Sequence, residues 1–273
     1  MKTELHSHLL RMMAASVLVT VSACGIKDKH KEMLVEQVDV IPSPSPCMDV
    51  PSSFTGHSIQ TEELASFGYW LYTPENPTEN MPLIVYLHGA SGRGDNLNLV
   101  VADEDFPKYL QENMFEDVRA YVLIPQLPRD LRSWSDISDS LYFLIQNTVQ
   151  EYSIDAKNIS LAGFSLGGTS VWELAVKYSN LFARIAPLAG SAKGVLSQVS
   201  VLQNIPVRAY VGADDVVIAP NSARQMIAQL QKAGGDAQIT MLENTDHVSV
   251  PYVVYHDESI HLVDWLIGTE DAQ

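Results

Sequence analysis

Ser165 lies in LAGFSLGG (161–168), with Gly163 and Gly167 two positions to either side. A serine hydroxyl is a useful nucleophile only when a base takes its proton and a third group holds that base in the right tautomer. Both can be supplied downstream. VRAYVGADDVVIAP (207–220) puts Asp214 and Asp215 just past an apolar run, and AQITMLENTDHVSV (237–250) puts His247 just past the next. Asp246 and Glu243 are weaker partners for His247, because neighbours in one turn rarely aim at each other. The chemistry such a set performs is acyl transfer, which also needs two N–H groups facing the developing oxyanion. YLHGASGRGDN (86–96) ends an apolar run in His88-Gly89 and opens a glycine-rich loop, so the backbone N–H groups of Ala90 and Leu166 are the expected pair. His88, upstream of the serine, reads as a residue that stabilises this loop.

These residues can meet only if strands and helices bring them to one edge. From about residue 56 the chain alternates apolar strand-like runs, at 69–73, 83–88, 120–125, 158–163, 183–189, 207–212 and 237–243, with helical patterns. Several runs are continuously apolar, as expected of a mostly parallel sheet covered on both faces, an α/β fold in one domain. One helix is expected on the face made by Ile137, Leu141, Leu144, Ile145, Val149 and Tyr152, and another directly after Ser165. A third is expected over 221–233, ended by Gly234 and Gly235, and a fourth over 257–267, ended by Gly268. A strand that turns straight into a helix forces Ser165 into an unusual backbone conformation and leaves no room for side chains at the flanking glycines. The carboxyl ends of parallel strands then place Ser165, the acid and His247 on the same rim.

PLIVYLHGASGRGDN, GFSLGGTSVWELAVKYSNLFARIAPLAG, IPVRAYVGADDVVIAPNSARQMIAQLQKAGGD, and DH followed by WL together resemble the α/β-hydrolases. The likeness is to their secreted esterase and predicted-peptidase branch, relatives of polyhydroxybutyrate depolymerases and of feruloyl and acetylxylan esterases. It runs over about residues 65–268 and implies the α/β-hydrolase fold. It also implies Ser165 as nucleophile, His247 as base and Asp215 as acid, the last through a G-x-x-D pattern that begins at Gly212. One departure is HVSV after His247, where relatives often carry an aromatic. The interval 190–205 is too short for more than a loop and a short helix, so no large lid domain is expected. The expected activity is carboxylester hydrolysis through an acyl-enzyme on soluble or polymer-borne esters, with no cofactor. A peptidase of the same fold and a catalytically silent envelope lipoprotein are the alternatives. In PQLPRDLRSWSD (125–136), Trp134 is a candidate for stacking on an aromatic or sugar, and Arg132 or Arg129 for binding a carboxylate.

The remaining composition bounds partners and location. A formal charge of −16 over 273 residues disfavours nucleic acid. His256 and His261, five apart, sit about 140° apart around a helix and make a poor metal pair, so no metal site is expected. His57 precedes the core strands and is expected at the surface. Residues 1–24 read as a signal peptide, with Lys2 and Arg11 before MMAASVLVTVSA and the closing VSAC resembling a bacterial lipobox. Cys24 would carry the lipid that anchors an exported envelope lipoprotein. Residues 25–55, with IPSPSPCMDVP and its lone Cys47, read as a tether, and 56–273 as the catalytic domain.

Overall fold

The computed structural model describes residues 34–36, 51–60, 65–103 and 105–269. The signal segment, Cys24 and most of the expected tether, Cys47 included, lie outside the described residues. Nine strands form one sheet: β1 (Leu34–Glu36), β2 (Phe54–Gln60), β3 (Phe67–Tyr72), β4 (Leu83–Leu87), β5 (Tyr121–Pro125), β6 (Ile159–Phe164), β7 (Arg184–Leu188), β8 (Val207–Gly212) and β9 (Ala237–Leu242). Their order is β1-β2-β3-β5-β4-β6-β7-β8-β9. The β1–β2, β2–β3 and β3–β5 pairs are antiparallel, and every later pair is parallel. This is the expected α/β architecture, with an antiparallel extension at one edge.

Side-chain alternation along the central strands divides the core in two. Leu83, Val85 and Leu87 of β4 face α3 (Ser138–Glu151), α4 (Leu166–Lys177) and α6 (Asn221–Lys232). Ile84 and Tyr86 face α1 (Asn98–Asp103), α2 (Asp105–Gln111), α7 (Val250–His256) and α8 (Leu262–Ile267). All five residues of β4 are buried, which explains why its sequence is continuously apolar. Between β7 and β8 lie only a 3₁₀ turn, Lys193–Gln198, and the single helical turn α5 (Val199–Leu202), so no lid domain covers the carboxyl edge there. No helix among the described residues is long and apolar enough to cross a membrane.

Three expectations change. Leu34–Glu36 lies within the stretch read as tether and pairs antiparallel with β2, and Phe54 and Thr55 already belong to β2. His57, expected at the surface, is buried: it stacks on Tyr69 across the β2–β3 pair, with ring centroids 5.1 Å apart, and its Nε2 lies 2.8 Å from Thr55 Oγ1. Burial also lowers its pKa. The helix expected over 257–267 starts only at Leu262. Asp257 instead accepts hydrogen bonds from Ser259 N–H and O–H, and His261 takes a left-handed φ of 43°, so 257–261 form a turn. Ahead of that turn runs α7, with Pro251 in its first turn and Val250, Val254 and Tyr255 buried.

Candidate active site

Ser165 sits between β6 and α4 with φ 55° and ψ −110°, a conformation that side chains other than glycine rarely adopt. The turn is held from both sides. Ser165 N–H donates to Leu188 O at 2.9 Å, and Thr169 N–H donates to Ser165 O at 2.9 Å. The flanking glycines are sterically required, since a Cβ on Gly167 would lie 1.9 Å from Leu87 O and one on Gly163 2.7 Å from the same oxygen. Ser165 is thereby half-exposed at the first turn of α4, where helix N–H groups favour negative charge.

The loops after β8 and β9 come together next to it. Gly212 ends β8 where a Cβ would lie 2.3 Å from Thr245 O. This close approach lets Asp214 N–H donate to Thr245 O at 3.1 Å. The G-x-x-D glycine thus fastens one loop to the other. Asp215 Oδ2 then accepts from His247 Nδ1 at 2.7 Å, and His247 Nε2 lies 2.8 Å from Ser165 Oγ. Asp215 Oδ1 accepts the N–H groups of Val217 and Ile218 at 2.9 and 2.8 Å, which fixes the carboxylate plane. The Asp215 side chain is fully buried and that of His247 nearly so. With a carboxylate accepting at Nδ1, the imidazole carries its proton there and offers the Nε2 lone pair to the serine. Asp214, Asp246 and Glu243 are exposed, and Asp246 accepts Ser249 N–H instead. The structure therefore brings Ser165, His247 and Asp215 together and leaves the other three carboxylates apart. The arrangement can transfer a proton from Ser165 Oγ to His247 as Oγ attacks an electrophile.

The loop after β4 packs against the serine, and a Cβ on Gly89 would lie 3.6 Å from Ser165 Cβ. Among the described residues neither Ala90 N–H nor Leu166 N–H has a protein acceptor. His88, fully buried, organises this loop. Its Nδ1 donates to Gly89 O at 2.6 Å, and its Nε2 accepts Leu127 N–H at 3.0 Å. Gly89 O and Ala90 N–H belong to one trans peptide, so holding the oxygen on the His88 side turns the N–H the opposite way. Trp134, the candidate for substrate stacking, is a correction: it is fully buried, meets His88 edge-on at 4.9 Å, and donates Nε1–H to His88 O at 3.2 Å. A large ring with one donor is better satisfied there than in solvent. Arg132 and Arg129 are exposed, Arg129 lying 3.7 Å from Asp95. Two supports went unrecognised in the sequence. Gln126, directly after β5, is one: its Nε2 donates to Gly92 O and Asn96 O. Arg93 is the other, with Nε donating to Ala90 O and Nη1 to Leu131 O. A polar residue directly after the apolar run of β5 was the available signal for the first.

Burial holds the His88 pKa down to about 4. The unfolded chain takes up this proton near 6.5 and the folded one only near 4, so the stability present above pH 6.5 is lost as pH falls from there to about 4, by about 3 kcal/mol in total. His88→Leu is expected to remove this share of the pH dependence, measured as the difference between wild-type and variant melting curves. The same variant is expected to lower kcat by about 10²-fold through a misdirected Ala90 N–H. His88→Asn, which keeps a donor for Gly89 O, is expected to recover most of that loss.

A mostly parallel sheet flanked by helices, with a serine on a strained strand-to-helix turn, gives this chain the α/β-hydrolase fold. Within that class, the profile of the dienelactone hydrolase family matches residues 129–250. The chain is 26% identical over 173 residues to a bifunctional acetylxylan esterase/xylanase of Neocallimastix patriciarum, covering 60% of this chain and 24% of that protein. It is 25% identical over 139 residues to acetylxylan esterase A of Emericella nidulans, covering 46% of this chain and 43% of that one. It thus spans less than half the length of either relative. Among solved structures, a thermostable esterase superposes with a TM-score of 0.72 at 26% identity, over 80% of this chain and 64% of that one.

Proposed function

We propose that this chain is a serine carboxylester hydrolase. Ser165 Oγ attacks the ester carbonyl carbon while His247 Nε2 takes the hydroxyl proton, and the carbonyl π pair moves onto oxygen, facing Ala90 and Leu166 N–H. Collapse expels the alcohol, which leaves with the proton from His247. Water, deprotonated by the same imidazole, then releases the acid and restores Ser165. Asp215 keeps the imidazole in the tautomer that accepts from serine and stabilises its protonated form.

The observation that carries this reading is the continuous relay from Asp215 Oδ2 through His247 to Ser165 Oγ, at 2.7 and 2.8 Å. The names of the acetylxylan esterase relatives support acyl groups carried on a polysaccharide as one natural substrate class. The short β7–β8 connection, which leaves the rim open on that side, suits such a polymer. Export and lipidation at Cys24 complete the proposal, supported by the VSAC pattern.

Fluorophosphonate labelling of the purified chain tests the mechanism, with the adduct mapped by mass spectrometry. The expected result is a single adduct on the peptide containing Ser165, together with turnover of aryl acetates well above that of the matching anilides. Absence of an adduct would reject the nucleophile, and preferential anilide cleavage would turn the reading to a peptidase.

A further inference from the structure

Five large apolar side chains are strongly exposed among the described residues, and four of them stand on or beside the two loops that carry the acid and the base. Val216 is 94% exposed and Val217 67%, directly after Asp215; Val248 is 68% exposed, directly after His247; Tyr252 is 56% exposed on α7. Single exposed apolar residues need no explanation, but a group of them at the rim of a reactive site does. The local geometry forces the display. Because Asp215 Oδ1 accepts the N–H groups of Val217 and Ile218, the chain turns tightly around the carboxylate and pushes Val216 outward.

Which part of a substrate meets this ledge follows from the proton's path. In the tetrahedral intermediate the oxyanion points to Ala90 and Leu166. The leaving oxygen must point to His247 Nε2, the only group in the relay able to protonate it. The alcohol therefore departs on the side of the loops bearing His247 and Asp215, and the acyl group lies away from them. We infer that Val216, Val217 and Val248 form a leaving-group ledge that favours apolar surface on the alcohol, which makes alkyl and aryl esters a second substrate class beside the polysaccharide-borne ones. This rests on the hydrolase reading above.

The test compares wild type with Val216→Ser/Val248→Ser on methyl, ethyl, propyl and butyl acetate, and on methyl butyrate as the acyl-side control. Full burial of a methylene is worth about fourfold, and an open ledge covers about half of it, so kcat/KM should rise about twofold per alcohol methylene in wild type. The double variant should lose that slope, its kcat/KM no longer rising from methyl to butyl acetate. An unchanged slope in the variant overturns the ledge, as does a wild-type profile flat in alcohol length. A fall in methyl butyrate turnover relative to methyl acetate in the variant would place the acyl group on these valines and also overturn it. A change in sedimentation on substitution would identify the patch as a contact between copies, with the same consequence. Fluorophosphonate labelling of wild type separates the two readings. Labelling with a flat alcohol profile removes the ledge alone, whereas no labelling removes the hydrolase and the ledge together.

Discussion

Replacing Ser165 by alanine or by glycine is expected to cost about a millionfold in kcat, yet the glycine variant should be the more stable of the two by about 1 kcal/mol. The activity loss follows from removing the hydroxyl that is hydrogen-bonded to His247 Nε2. The stability difference follows from the backbone. At φ 55° and ψ −110° a Cβ is strained whether the side chain is serine or alanine, and glycine is not. Strain of about 1–3 kcal/mol is relieved, and the extra entropy of an unfolded glycine returns about 0.5–1 kcal/mol of it. Both variants lose the bond to His247 equally, so their comparison isolates the turn. Melting temperatures should differ by roughly 2–4 °C in a domain of this size. Coincident melts would show that the turn stores no strain, and the sharp bend would then owe nothing to conformational cost at residue 165.

That backbone demand is also why the site was readable before the fold. A strand turning into a helix imposes hard steric limits, and hard limits leave compositional marks: Gly163 and Gly167 are required because Leu87 O leaves no space for a Cβ. The same logic applies to Gly212 against Thr245 O. Soft choices leave weaker marks. Whether the indole of Trp134 faces a substrate or the interior depends on an acceptor 46 residues away in sequence, the carbonyl of His88, which no local pattern reveals. β2 was missed because FTGHSIQ places a polar His57 at a buried position, satisfied by Thr55 and Tyr69. α7 was missed because VPYVVYH is short and rich in β-branched and aromatic residues, types that favour strands. Packing of Val250, Val254 and Tyr255 onto the second core overrides that preference. The choice between Asp214 and Asp215 belongs to the same group. Both stand at a strand end in sequence, and only the close fit of Gly212 against the β9 loop buries one and exposes the other.

That choice leads to the second large effect: Asp215→Asn should lower kcat by about 10⁴-fold with little change in stability. Asp215 Oδ1 accepts two backbone N–H groups, so an asparagine must place its one oxygen there and turn its NH₂ toward His247 Nδ1. A donor at that point forces the imidazole to accept at Nδ1 and carry its proton on Nε2. Nε2 can then no longer take the proton from Ser165. The side chain keeps its shape and both loop hydrogen bonds, so the melting temperature should move by only a few degrees. Asp215→Ala separates the two contributions, because it also leaves Val217 and Ile218 N–H unpaired and should cost a further 2–3 kcal/mol or so in stability. Asp214→Asn, at the exposed neighbour, is expected to stay within about twofold of wild-type activity, since nothing it carries reaches the imidazole. If instead the Asp214 and Asp215 substitutions proved equivalent, the buried carboxylate would be a structural support for its loop, and the tautomer of His247 would have to be set by some other group.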